Sequence, residues 1–201
     1  MFPWTPSELR LLRHLNTPHK IQDFLETIPI NPETPDSSCL SPRLVLRERR
    51  AQCIEGAMLA AAALRLHGQK PLILDLVATK NDVDHVVAVF RQHGCWGAIS
   101  KTNHAVLRYR EPIYRTIREL ALSFFHEYFN DKGQKNLRSY SRPVDLSRFD
   151  QQGWMTAEDN IWYIPEYLLD LPHTPLLTRA QLATLRLADQ IERNAGKLTQ
   201  Y

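Results

Sequence analysis

Residues 49–68 read Arg49-Arg50-Ala51-Gln52-Cys53-Ile54-Glu55-Gly56-Ala57-Met58-Leu59-Ala60-Ala61-Ala62-Ala63-Leu64-Arg65-Leu66-His67-Gly68. Alanine and leucine are the strongest helix formers, and a glycine just past such a run suits the left-handed C′ position. The stretch therefore predicts a buried helix from about Gln52 to His67, with Cys53 in its first turn. That turn leaves backbone N–H groups unpaired and carries the positive end of the helix dipole. Both effects favour thiolate over thiol. A cysteine in mid-helix would be a small inert hydrophobe, whereas one at this end can be a nucleophile.

On the N-terminal side, Thr5-Pro6-Ser7-Glu8 carries the marks of a capping box and predicts a short helix through Leu15. Thr17-Pro18 repeats the signal ahead of Ile21, Phe24, Leu25 and Ile28, a second amphipathic helix. Ile30 to Pro42 is rich in Pro, Ser, Asn and Asp and reads as a surface loop, with Ser41-Pro42 opening a third short helix through Glu48.

On the C-terminal side, Pro71–Ala78 and Asp84–Arg91 read as strands. A period of two puts His85, Val87 and Val89 on one face of the second strand and Val86, Ala88 and Phe90 on the other. His93-Gly94 predicts a tight hairpin, Cys95–Ser100 the returning strand, and Ala105–Tyr109 a fourth strand. Pro112 is read as opening a long helix from Ile113 to about Asp131, closed by Gly133. Asn136–Trp162 predicts irregular or short-strand structure, and Thr178 to about Asn194 a last helix capped by Thr178 with Gln181 at N3. The expectation is one α+β domain: a helical extension over 1–42, a core over 43–132 and a C-terminal extension over 133–201.

Composition narrows the class. In 201 residues, 43% are hydrophobic and 23% charged, as in ordinary globular chains. A net charge of +3 is too small to argue for nucleic acid, and no nucleic-acid partner is expected. Three cysteines cannot form a fully paired disulfide framework. No apolar run is long enough to cross a bilayer, and the first residues lack the pattern of a signal peptide. The expected compartment is the reducing cytoplasm, with no membrane partner. Nothing in the sequence speaks to oligomeric state.

The order of elements suits a thiol site. A helix brings Cys53, and the sheet packed on it brings His85, 32 positions later. Nucleophile, base and a group that orients the base must converge although they lie far apart in sequence. Cys53-x-Glu55-x-Ala57 at the head of an Ala-rich helix ending in Gly68, a Leu-rich strand, Asp84-His85-Val86-Val87-Ala88-Val89, then Cys95-Trp96-Gly97-Ala98-Ile99-Ser100 resembles the core of the transglutaminase-like superfamily. That superfamily includes transglutaminase-fold cysteine peptidases and is similar to the arylamine acetyltransferases. The likeness spans roughly residues 49–102, about a quarter of the chain.

The resemblance implies a papain-like thiol mechanism, with Cys53 matching the nucleophile and His85 the base. An Asp commonly follows on the next strand as the orienting group, and here Ser100 stands in its place. A hydroxyl can accept from an imidazole N–H but stabilises an imidazolium less than a carboxylate does. Asn103 is a further candidate for the orienting part, as an asparagine is in papain-like enzymes. The implied substrate is a peptide, a protein or a small amide or ester, with no cofactor and no metal. The alternative is a transglutaminase-like module without turnover that holds a protein or anionic partner.

Other residues carry blander expectations. Glu55 reads as a first-turn acid favourable to the dipole, and Cys39 and Cys95 as structural. Asp84 is expected on the strand face opposite His85. His126-Glu127-Tyr128-Phe129-Asn130 begins like a zinc motif but lacks the second histidine, so it reads as helix surface. Asp82, Asp84, His85, His93 and His104 follow no standard metal-ligand spacing. Arg108, Arg110, Arg115, Arg118, Arg138, Arg142 and Arg148 read as a solvated face paired with Glu111, Glu119 and Asp145 rather than an anion grip.

Overall fold

A computed structural model describes residues 4–31 and 38–200. Three short helices come first, α1 (Pro6–His14), α2 (Pro18–Glu26) and α3 (Pro42–Glu48). Each starts on a Thr-Pro or Ser-Pro pair whose hydroxyl accepts the N–H three residues on. The proline supplies a preset φ at a position with no intrahelical N–H bond to lose. Of the loop expected before α3, residues 32–37 lie outside the described residues.

Next comes α4 (Cys53–Leu66), whose residues from Ile54 to Leu64 are all buried. A helix apolar all round must be covered all round. Here α1, α2 and α3 cover one side, and β1 (Leu72–Val77) and β2 (His85–Gln92) the other. His93 and Gly94 both take positive φ, 52° and 79°, as a two-residue hairpin requires, and lead into β3 (Cys95–Ile99).

The strands form one antiparallel sheet ordered β4-β3-β2-β1-β5-β7, with β6 also paired to β1. Its remaining members are β4 (Arg110–Tyr114), β5 (Ser139–Tyr140), β6 (Val144–Asp145) and β7 (Thr174–Pro175). Both faces are covered. Ile73, Val86, Ala88, Phe90 and Ile99 join the core around α4. Leu74, Leu76, Val87 and Val89 face a second core with α5 (Ile117–Ser123), Phe124 and Phe125. The period-two reading of β2 matches this division from Val86 to Phe90.

Three expectations are corrected. Ala105–Tyr109 is not a strand: Leu107 adopts a left-handed φ of 60°, and the fourth strand is β4. The helix expected from Ile113 is only α5, because Thr116 caps it through Glu119 N at 3.1 Å while residues 110–114 pair with β3. Pro112 is tolerated because β4 is an edge strand. The last helix is two pieces, α7 (Arg179–Ala183) and α8 (Gln190–Gly196). Thr184 Oγ1 bonds back to the Gln181 carbonyl at 3.2 Å, and Asp189 starts a new capping box with Glu192. α6 (Tyr163–Leu169) begins just beyond the stretch expected to be irregular.

Candidate functional site

Cys53 is the first residue of α4 and is partly exposed. His85 is the first residue of β2 and is buried. At the starts of these two elements, both residues line one cleft of about 540 Å³, with Gln52, Lys101, Asn103 and Tyr128 also on its walls.

The ring of His85 is held from the sheet side. Its Nε2 lies 2.8 Å from Ser100 Oγ, and Ser100 donates its own proton to the Leu107 carbonyl at 2.5 Å. A hydroxyl has one proton, so Ser100 accepts from His85, and Nε2 carries the hydrogen. The neutral ring then keeps its lone pair on Nδ1, the nitrogen able to take a proton. The left-handed conformation of Leu107 turns its carbonyl to Ser100, and its N–H donates to Glu127 at 2.8 Å.

Ser100 is fixed in turn by Gln22 on α2. Ser100 N donates to Gln22 Oε1 at 2.9 Å, and Gln22 Nε2 donates to the Ser100 carbonyl at 2.8 Å. Burial pushes His85 down to about 4, with the charges of Arg110 and His104 acting the same way and the Leu107 carbonyl opposing them. The resting imidazole is neutral at pH 7.

The structure puts Ser100, not Asn103, on the His85 ring. Asn103 lines the cleft, and its carbonyl accepts Gln200 N at 2.8 Å. Asp84 also lines the cleft while its carboxylate accepts the Ala78 N–H at 2.8 Å, and Asp82 accepts from Asn136 at 2.8 Å. Among the described residues no group of three or more His, Cys, Asp or Glu side chains could hold a metal ion.

Several roles escaped the sequence reading. Glu55, read as a dipole acid, is fully buried and accepts Leu40 N at 2.8 Å, Gln52 N at 2.6 Å and Asn31 Nδ2 at 3.0 Å. Burial raises its pKa while those donors lower it. Lys101 is buried, donates to the Ile28 carbonyl at 2.6 Å, and is held below its usual pKa by desolvation. Gln22 had one visible signal: an amide on the apolar face of an amphipathic helix, beside Ile21 and Leu25.

Glu127 belongs to a 3₁₀ turn, Phe125–Glu127, and pairs with Arg110 at 2.6 Å. Arg108 pairs with Glu26. The expected partners Glu111 and Asp145 are not the ones these arginines use. Cys39 is buried, donates to the Ile161 carbonyl at 3.7 Å, and is pushed up to about 12 by burial, which makes it a poor nucleophile. No helix among the described residues is long and apolar enough to cross a membrane.

No protein-family model matches the chain, and no curated protein matches it with significance.

Proposed function

We propose that the chain is a thiol-dependent hydrolase or acyl-transferase of the transglutaminase-like kind, acting on an amide or ester through an acyl-Cys53 intermediate. The observation that carries this reading is the chain of hydrogen bonds Leu107–Ser100–His85, which puts the proton of the neutral ring on Nε2 and the lone pair on Nδ1, in a residue that lines the same cleft as Cys53. In papain-like terms, helix α4 brings the thiol and the antiparallel sheet brings the base.

In the reaction, Cys53 Sγ attacks the carbonyl carbon while His85 Nδ1 takes the thiol proton. The tetrahedral intermediate collapses, and the departing amine or alcohol takes that proton from His85. Water or an acceptor amine, activated by His85, then releases the acyl group. A neutral imidazole with a hydroxyl partner fits a concerted proton transfer better than a resting thiolate–imidazolium pair.

That same hydroxyl favours one second reading. With no carboxylate behind His85, an imidazolium is weakly supported, as expected of a module that holds a protein or anionic partner without turnover. Iodoacetamide labelling followed by peptide mass spectrometry separates the two. An enzyme should label at Cys53 faster than at Cys39 or Cys95 near pH 7, and His85→Ala should slow Cys53 alone. Labelling of Cys53 no faster than Cys95, unchanged in His85→Ala, would leave the binding module.

A further inference from the structure

Residues 198–200 run antiparallel to 103–105, with His104 opposite Thr199. Ala105 N donates to the Leu198 carbonyl at 2.9 Å, Gln200 N donates to the Asn103 carbonyl at 2.8 Å, and His104 Nδ1 donates to the Gly196 carbonyl at 3.0 Å. All three bonds use main-chain groups of the C-terminal segment. Its side chains are mostly in solvent: Leu198 is 64% exposed, Thr199 and Gln200 are exposed, and Lys197 meets Asp131 only at 3.9 Å. An edge that reads backbone in this way can take another extended chain in place of its own. Asn103 and His104 also line the cleft that Cys53 and His85 line.

Beside this pairing, Gln200 lines a second, smaller cavity of about 100 Å³ with Glu26, Lys101 and Thr102. Lys101 is buried, and its ammonium donates to the neutral Ile28 carbonyl at 2.6 Å. The carboxylate on these walls is engaged elsewhere: Glu26 pairs with Arg108 and accepts from Gln22 at 2.5 Å. A buried cation keeps much of its desolvation cost until an anion meets it. Burial accordingly holds Lys101 below its usual pKa.

We propose that residues 103–105 are the docking edge for an extended peptide, which pairs with them in place of 198–200 and sets an acidic side chain against Lys101 where Gln200 now lies. Residues 198–200 are then an internal occupant that the incoming chain displaces. The inference concerns recognition and needs no bond-making at Cys53, so it goes beyond the acyl-cysteine reading and stands or falls apart from it. It narrows the partner from any amide or ester to an extended, acidic polypeptide segment.

Gln200→Pro in the full chain removes the N–H that Asn103 accepts, at an exposed residue. Hydrogen–deuterium exchange of a fragment containing 103–105 is expected to quicken about 10-fold in this variant. Three synthetic peptides of residues 197–201, capped at both ends, are then added: the natural sequence, Gln200→Glu and Gln200→Lys. The expected result is restored protection of 103–105, with the Gln200→Glu peptide binding about 10-fold tighter than the natural one and the Gln200→Lys peptide weakest. The unsubstituted protein should need more of each peptide, because its own segment competes. Failure of every peptide to protect 103–105 would overturn the docking edge. Equal protection by all three would overturn the acidic preference, and the proposal with it. Exchange unchanged by Gln200→Pro would show that 198–200 do not cover the edge, and the proposal fails. Loss of selective Cys53 labelling with peptide protection intact would remove the acyl-cysteine reading and leave this one.

Discussion

Glu55 shows how far a single side chain can depart from its local reading. In sequence it is a first-turn acid. In the fold it collects Leu40 N, Gln52 N and Asn31 Nδ2, and so ties the segment before α3 to the head of α4. Donors contributed by distant backbone leave no mark near residue 55, which is why the role was not legible. Glu55→Ala strands three buried donors and should cost about 3 kcal/mol or more, read as a lower urea midpoint.

His85 makes a pH prediction. Its folded pKa of about 4 lies below the ordinary histidine value. Between about 4 and 6.5 the unfolded chain binds more protons than the native one, so stability rises with pH across that window. The contribution, about 3 kcal/mol, is complete above pH 6.5 and is lost as pH falls toward 4. Asp75, raised to about 6 chiefly by burial, acts in the opposite sense, losing native-state advantage as pH rises through 6. Urea titrations of the protein and of His85→Asn at several pH values isolate the histidine, since Asp75 is common to both. A difference curve flat from pH 4 to 7 would contradict the assignment. His85 and Ser100 were legible as an expected pair on neighbouring strands, while Gln22 and Leu107, which hold Ser100, were not.

Among the elements, those with local start signals were legible. α1, α2 and α3 begin where Thr-Pro and Ser-Pro say they should, and α4 ends at its glycine. The misread stretch, 112–131, was read as opening at Pro112, whereas in the fold Thr116 caps the helix through Glu119 N. The choice was made by pairing with β3, which local pattern cannot reveal. Gly56 gives the element-level prediction. Alanine for a mid-helix glycine normally gains about 1 kcal/mol. Here a Cβ would sit 2.5 Å from Lys101 Cβ, so the helix and the chain beyond β3 must separate. Gly56→Ala should lose about 1–3 kcal/mol in chemical denaturation, and a gain would refute the close approach.

Across the chain, the expected α+β mixture and the helix-on-sheet arrangement are present, with a second core on the other face of the sheet. What the sequence hid was the return of the C-terminal segment. Ala105 N donates to the Leu198 carbonyl at 2.9 Å, and Gln200 N to that of Asn103 at 2.8 Å, so 197–200 flank the loop on the cleft wall. Such pairing has no compositional signature. No residue of α8 is buried. A chain ended at Arg186 should therefore keep its folded core, while amides of 103–105 exchange faster in hydrogen–deuterium exchange mass spectrometry. Unfolding of the truncated chain would show that the segment belongs to the core.

The alanines of α4 carry a consequence of their own. Ala57 and Ala60 through Ala63 are buried where the helix meets its neighbours, and their shortness lets the backbones of α4 and β2 draw close. One of those backbones begins with the sulfur and the other with the imidazole. The gap between the two is therefore gauged by methyl groups that touch no ligand, and a single added carbon in that seam would reset it from a distance.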